Sequence, residues 1–293
     1  MRKAIEEIRK RWMQLTLAII VLLPLSIAAS LIFKAWPMLH WDVLPNVLLG
    51  SEWLPGQGKF GLWPFIYSSL LTAVIGMVVM VPLSLASAIY ITQFAPKWLE
   101  NFLRTVIDIL AGIPSVIFGL WGVLFIVPQV VDWARSWGSE NVSGYSILAG
   151  AIVMAFSVLP FILNMLIELF RSVAIELKEA ALSLGTTYWQ AIKDVVIRQI
   201  KPGITAAFSL GVSKAFGETI AVLMVVGNVV QIPGGLFDAG YPLPALLANN
   251  YGEMMSIPMY DSALMLSALL LLIIVVIFNS LAHRLIRHYQ TKV

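Results

Sequence analysis

Residues 60–96 read FGLWPFIYSSLLTAVIGMVVMVPLSLASAIYITQFAP, and from Phe65 to Thr92 they contain no Lys, Arg, Asp, Glu or His. A helix needs about 20 apolar residues to cross the hydrocarbon core of a bilayer, and this run exceeds that. Five more stretches approach or meet the same length, near 13–33, 106–128, 146–169, 203–227 and 261–283. The expectation is an all-α membrane protein with six transmembrane helices and little room for a soluble domain. Composition agrees: of 293 residues, 59% are hydrophobic and only 12% are charged, a balance foreign to soluble domains.

Several function classes fall away at once. The chain has no cysteine, and its three histidines, at 40, 283 and 288, form no H-E-x-x-H pair, so thiolate and zincin-type metal sites are excluded. No metal site and no nucleic-acid contact are expected, because the net charge of +3 is spread over loops rather than gathered on one basic face. GQGKFG at 56–61 has glycines and a lysine but lacks the G-x-x-x-x-G-K-[ST] spacing of a phosphate-cradling loop. No cofactor is expected on this chain.

The first segment, MRKAIEEIRKRW followed by an apolar run, shares features with a signal peptide, with Ala28, Ala29 and Ser30 as a weak cleavage site. Its apolar stretch is longer than the usual 7–15 residues, which favours a retained helix. Orientation follows from the cations. With a cytoplasmic N-terminus, fifteen of the 19 lysines and arginines fall inside: Arg2, Lys3, Arg9, Lys10 and Arg11; Lys97 and Arg104; Arg171, Lys178, Lys193, Arg198 and Lys201; and Arg284, Arg287 and Lys292. Only Lys34, Lys59 and Arg135 fall outside, and Lys214 lies within a span, so both termini are expected in the cytoplasm. Tryptophans 36, 41, 53, 63, 133 and 137 suit an interfacial belt.

The longest inner loop, ELKEAALSLGTTYWQAIKDVVIRQIKPG (176–203), has two helical pieces. Leu177, Ala180, Ala181 and Leu184 recur at helical steps, Gly185 ends the helix, and Thr186 or Thr187 can cap a second one. That second helix presents Tyr188, Trp189, Ile192, Val195 and Val196. By periodicity such a face lies on the membrane surface, caps the bundle or enters a partner's groove.

Glu179-Ala180-Ala181 with Gly185 resembles the EAA signature of permease subunits of binding-protein-dependent ABC importers, and Val195 and Ile197 stand where that family has branched residues. A proline usually follows; here the position holds Arg198 and the nearest proline is Pro202. Residues 60–96, DILAGIPSVIFGLWGVLFIVP (108–128) and SKAFGETIAVLMVVGN (213–228) are similar to the PstC-type permeases of phosphate importers, from about residue 60 onward. The resemblance implies a type I importer (MetI-like) fold. It divides the chain into 1–59, an N-terminus with the first helix and outer segment, and 60–293, a permease core with its coupling loop at about 176–203. It also implies ATP-driven phosphate import beside a second, PstA-like permease, with two copies of a PstB-like ATPase that binds ATP-Mg and a PstS-like binding protein outside. Glu179, Ala180, Ala181, Gly185, Tyr188 and Trp189 then form the ATPase-coupling surface. Permeases for molybdate, tungstate or sulfate, and a secondary transporter or channel, are the alternatives.

Lys214 and Glu218 interrupt the fifth span. A charge near the bilayer centre costs about 2.5–3.5 kcal/mol on insertion scales, so both must face protein or water. Gly203, Ala207, Gly211, Lys214, Gly217, Glu218 and Ala221 fall along one side of a continuous helix, where small residues allow close approach. Either the two charges neutralise each other at i, i+4 and pin the bundle, or they line a translocation pathway with Gly211 and Gly217. The family usually has arginine where Lys214 stands, and lysine offers a point charge without the bidentate fork. Asp108, Ser115, Asn164 and Glu168 are weaker intramembrane polar candidates. Ser157, Asn164 and Glu168 share a face suited to interhelical hydrogen bonds, and Asp108 is placed to meet a loop arginine. Pro82 and Pro114 are expected to kink their helices. In QIPGGLFDAGYPLP (231–244) the glycines read as turn residues rather than a phosphate nest.

Overall fold

A computed structural model describes residues 2–40, 42–139, 142–253 and 256–290. Trp41 and Lys292, counted above, lie outside the described residues. The chain is helical almost throughout, as α1 (Arg2–Ala35), α2 (Leu44–Leu49), α3 (Trp63–Ile89), α4 (Lys97–Gly112), α5 (Ser115–Trp121), α6 (Val127–Ser136), α7 (Ile147–Arg171), α8 (Ile175–Ser183), α9 (Tyr188–Gln190), α10 (Ile197–Gly217), α11 (Ile220–Leu223), α12 (Leu243–Asn250) and α13 (Tyr260–Gln290). A two-residue hairpin, β1 (Trp53–Leu54) with β2 (Lys59–Phe60), pairs Trp53 with Phe60. Three π turns, at Tyr90–Phe94, Gly122–Ile126 and Ala191–Val196, extend α3, join α5 to α6 and join α9 to α10.

Among the described residues, five helical stretches are long and apolar enough to cross a membrane: Arg9–Met38, Trp63–Phe94, Ser115–Ser136, Ile147–Arg171 and Tyr260–Leu281. Two sequence expectations change. The third span begins at Ser115 rather than 106, because Ile113 and Pro114 are extended and proline disfavours helical geometry in the residue before it. Pro114 therefore breaks the chain between α4 and α5 instead of kinking one helix. The fifth segment is not one helix either: α10 stops at Gly217, Glu218 is extended, and α11 restarts at Ile220. Pro82 and Pro160 are inside α3 and α7, which continue past them.

The main core joins α3, α7 and α10 through Met80, Met154, Val158, Ile162, Leu166, Ile204 and Ala207. A second apolar cluster unites the segments that link α1 to α3 and α11 to α13: Met38, Val47, Phe60, Leu62, Phe65, Tyr241, Leu246 and Tyr260 are all buried in it. α1 packs on α13, closed at its end by an ion pair of Lys34 with Asp261 at 3.2 Å.

The start of α7 shows how backbone polarity is met in apolar surroundings. A helix leaves its first N–H groups unpaired, and lipid offers nothing to satisfy them. Here the loop after α11 folds over them: Ile147 N–H donates to the Asp238 carbonyl and Leu148 N–H to that of Leu236, while Ser146 Oγ accepts from Ala149 N–H at 3.2 Å. In the same loop Asp238 Oδ2 accepts the N–H groups of both Gly234 and Gly235 at 2.8 Å. Those glycines are turn residues whose donors are already filled.

Candidate functional site

One face of α7 gathers polar groups on a single surface. Ser157, Phe161, Asn164, Glu168 and Arg171 follow each other at three- and four-residue steps, so their side chains share a side of the helix. Each meets a different group. Ser157 Oγ donates to Glu218 Oε2 at 3.0 Å, Lys214 Nζ sits 4.7 Å above the Phe161 ring, and Asn164 Nδ2 donates to Asp108 Oδ1 at 3.0 Å. Next, Arg104 pairs with Glu168 at 2.6 Å, and Arg171 pairs with Glu100. The last three partners, Glu100, Arg104 and Asp108, recur every four residues along α4. A polar seam thus runs along α7, flanked by α4 at one end and by the α10–α11 break at the other.

This arrangement corrects three sequence readings. Lys214 and Glu218 do not form an ion pair: the helix ends between them, Glu218 is turned to Ser157 and Lys214 to Phe161. Asp108 meets Asn164 on α7, not a loop arginine. The small-residue stripe also divides. A Cβ on Gly203 would meet the Leu169 side chain, and one on Gly211 would meet Ile162, so both are closed against α7. Nothing lies within 4 Å of the corresponding position at Gly217, and Lys214 is exposed. Ala221 belongs to α11. Ser115 opens α5 and makes no side-chain hydrogen bond among the described residues.

The break leaves each charge in a favourable setting. Lys214 occupies the last turn of α10, where the negative end of the helix dipole favours a cation by about 0.3–1 kcal/mol. Its contact with the Phe161 ring adds about 0.5–1 kcal/mol. Thr219 Oγ1 donates to the Gly217 carbonyl at 3.1 Å, which satisfies one of the acceptors exposed by the break. Beside Glu218 lies a cavity of about 20 Å³, lined by Ser69, Thr72, Met154, Phe216 and Pro242 among others. Thr72 Oγ1 is buried there without a hydrogen-bond partner among the described residues. The space suffices for one water.

Two of the sequence stretches singled out above touch each other here. A Cβ on Gly119 would fall 2.6 Å from Met224 Sδ and 3.1 Å from Ala221 Cα, and one on Gly122 would fall 2.5 Å from Val153 and 2.9 Å from Val225. The glycines of GIPSVIFGLWG let α5 and its π turn lie directly against α11 and α7, backing the broken segment.

The inner loop folds as its sequence suggests, with one change. α8 ends at Ser183, Gly185 takes a left-handed φ of 85°, and Thr187 forms a capping box with Gln190. The second helix runs past Pro202, through the π turn into α10. Glu179, Ala180, Trp189 and Tyr188 are exposed, Ala181 is buried, and Leu184 is 86% exposed. Ile192 and Val196 turn into the bundle core, so the apolar face expected for this helix is split between core and surface. Tyr188 Oη donates to the Gln93 carbonyl. Phe161, Thr72 and Gln93 were not singled out from sequence; only Phe161 carried a signal, being one turn from Ser157 and from Asn164 on the same face.

Among the described residues, five span-length helices, a further segment broken beside two charges and an exposed helical loop at 176–203 make up a multi-span membrane component. The chain belongs to the family of binding-protein-dependent transport system inner membrane components, whose model matches residues 80–293. It is 35% identical over 238 residues to the phosphate transport system permease protein PstC of Xylella fastidiosa (strain Temecula1), covering 76% of this chain and 73% of that protein. The PstC protein of Haemophilus influenzae is 30% identical over 303 residues, covering 98% and 95%. A probable ABC transporter permease protein of Bacillus subtilis, YqgH, is 32% identical over 257 residues, covering 86% and 81%. Among solved structures, a bacterial alginate ABC transporter shares the fold at a TM-score of 0.66 and 14% identity, over 97% of this chain and 96% of that one. The inward-facing methionine transporter MetNI matches at 0.55 and 20% identity, over 78% and 94%.

Proposed function

We propose that this chain is the membrane permease subunit of an ATP-driven importer of inorganic phosphate, and that Lys214 and Glu218 line its pathway. The observation that carries this reading is the separation of the two charges. Glu218 is held by Ser157, and among the described residues the exposed Lys214 ammonium has no carboxylate partner, on a surface open in the single chain. A cation so placed attracts a phosphate anion without first breaking an ion pair. The names of the relatives support phosphate as the cargo. Gly217 keeps the approach open, while Gly211 fixes α10 against α7.

In this reading six segments span the inner membrane with both termini in the cytoplasm, residues 1–59 add a first helix and outer segment, and 60–293 form the permease core. A second, PstA-like permease covers the seam. Two copies of a PstB-like ATPase dock on Glu179–Trp189 and bind ATP-Mg, and a PstS-like protein delivers phosphate from outside. The test is uptake of labelled phosphate by the reconstituted complex. Lys214→Ala and Glu218→Ala are expected to abolish uptake while the complex still assembles; normal uptake by either assembled variant rejects the pathway role. Competition by molybdate, tungstate or sulfate as strong as by unlabelled phosphate rejects the cargo.

A further inference from the structure

Tyr188 opens the second helix of the inner loop, yet its contacts are with a different part of the molecule. Its hydroxyl donates to the Gln93 carbonyl, and its ring meets Phe94 edge-on with centroids 5.4 Å apart. Lys178, from α8, closes the group: its Nζ is 3.3 Å from Gln93 Oε1, 3.4 Å from Tyr188 Oη and 5.1 Å from the centre of the Tyr188 ring. Gln93 and Phe94 lie in the π turn that ends α3, and Tyr188 opens α9, which runs into the π turn leading to α10. Such turns recur at functional positions, because the shifted ladder re-aims the backbone. The Gln93 carbonyl is one of the last acceptors of its helix, which have no partner within it, and a side chain from the loop supplies the donor.

We propose that Tyr188, Lys178 and the Gln93–Phe94 end of α3 form a latch through which the ATPase-facing loop moves α3 as well as α10. The proposal rests on the coupling-loop reading given above. The loop already reaches α10 through continuous helix, and the latch gives it a second attachment. The two helices it grips also meet at the far end, where Ser69 and Thr72 of α3 and Ala215 and Phe216 of α10 line the cavity beside Glu218. A cavity of about 220 Å³ behind the latch, bordered by Thr92, Gln93, Arg171, Lys178 and Val196, gives α8 room to shift. Tyr188 and Phe94 are exposed and Gln93 and Lys178 half-buried, so water reaches the hydrogen bonds when they are lost and folding is little affected. Its loss is therefore read in coupling.

The experiment uses the whole importer in liposomes, with phosphate uptake and ATP hydrolysis measured on the same sample. Tyr188→Phe keeps the ring and removes the donor. It is expected to lower phosphate moved per ATP hydrolysed by about five- to tenfold, a ratio that a loss of docking alone leaves unchanged. Lys178→Met is expected to lose about two- to threefold, and the double variant to be no worse than Tyr188→Phe, since both act on Gln93. Unchanged transport per ATP in Tyr188→Phe overturns the latch, as does a parallel loss of uptake and hydrolysis, the signature of a docking residue. A second readout is independent of the cargo. The full chain has no native cysteine, so spin labels at Lys97→Cys and Leu184→Cys report the α3 end against the loop. A narrow distance distribution that broadens in Tyr188→Phe supports the latch; equal distributions overturn it. Absence of ATP-driven phosphate uptake by the wild-type complex would instead strike the functional reading, with the label distances still deciding the latch.

Discussion

Gly211→Ala tests one of the tightest contacts in the helix core. A Cβ at this position would lie inside van der Waals contact with Ile162 Cδ1 and 2.7 Å from Ile162 Cγ1, with Met80 Cε next at 3.9 Å. Ile162 is fully buried and has no open side toward which to rotate. Overpacking of this kind costs about 1–3 kcal/mol. Replacing Ile162 by Ala removes both clashing atoms and leaves a void, at a cost of about 2–5 kcal/mol. In that background the Gly211→Ala methyl meets only the ordinary Met80 contact and fills part of the void, returning about 1 kcal/mol, the cost of one methyl-sized gap. The same substitution thus changes sign, and the coupling between the two sites amounts to about 2–4 kcal/mol, near or above the upper range for residues in contact. Equilibrium unfolding of the four proteins in mixed micelles, followed by helicity against denaturing detergent, measures the cycle. Additive effects, or destabilisation by Gly211→Ala in both backgrounds, would refute the close packing of α10 on α7.

Thr72→Val is expected to be neutral or to stabilise by up to about 1–3 kcal/mol, because it removes a buried hydroxyl without a protein partner. Ser69→Ala, which loses the bond from Leu243 N–H at 2.7 Å and that to the Phe65 carbonyl, is expected to destabilise; unfolding midpoints of the pair check the contrast. Thr187→Ala removes the loop cap and is expected to cost about 0.5–2 kcal/mol locally, measured as faster proteolysis within 184–191 with the global midpoint unchanged. Arg104→Ala and Glu168→Ala, tested as a cycle, should couple by no more than about 1 kcal/mol, since Glu168 is mostly exposed and such pairs are screened.

The legible and illegible parts of this molecule differ in kind. Gly185 and Thr187 act through their own backbone and side chain, so the loop's break and cap could be read from the chain itself. The apolar lengths of α3, α7 and α13 follow from hydropathy in the same direct way. The end of α10 at Gly217 could not be read so: no proline interrupts the stretch, and Gly-Glu-Thr is compatible with helix. What stabilises the break is tertiary, namely Ser157 on α7 holding Glu218, and α11 seated against Gly119 and Gly122. For the same reason the i, i+4 geometry assumed for Lys214 and Glu218 did not survive. α4 is an intermediate case, since Glu100, Arg104 and Asp108 share one face in the sequence, but only the fold reveals that Arg171, Glu168 and Asn164 stand opposite them.

The uninterrupted run from Tyr188 to Lys214 has a mechanical meaning. At about 1.5 Å per residue its 26 steps make a lever arm of about 39 Å. A tilt of about 5° applied at the loop end would carry the far end through about 3 Å, the length of one hydrogen bond. An ammonium at the tip of such an arm could gain or release an anion contact while the helix that carries it stays intact.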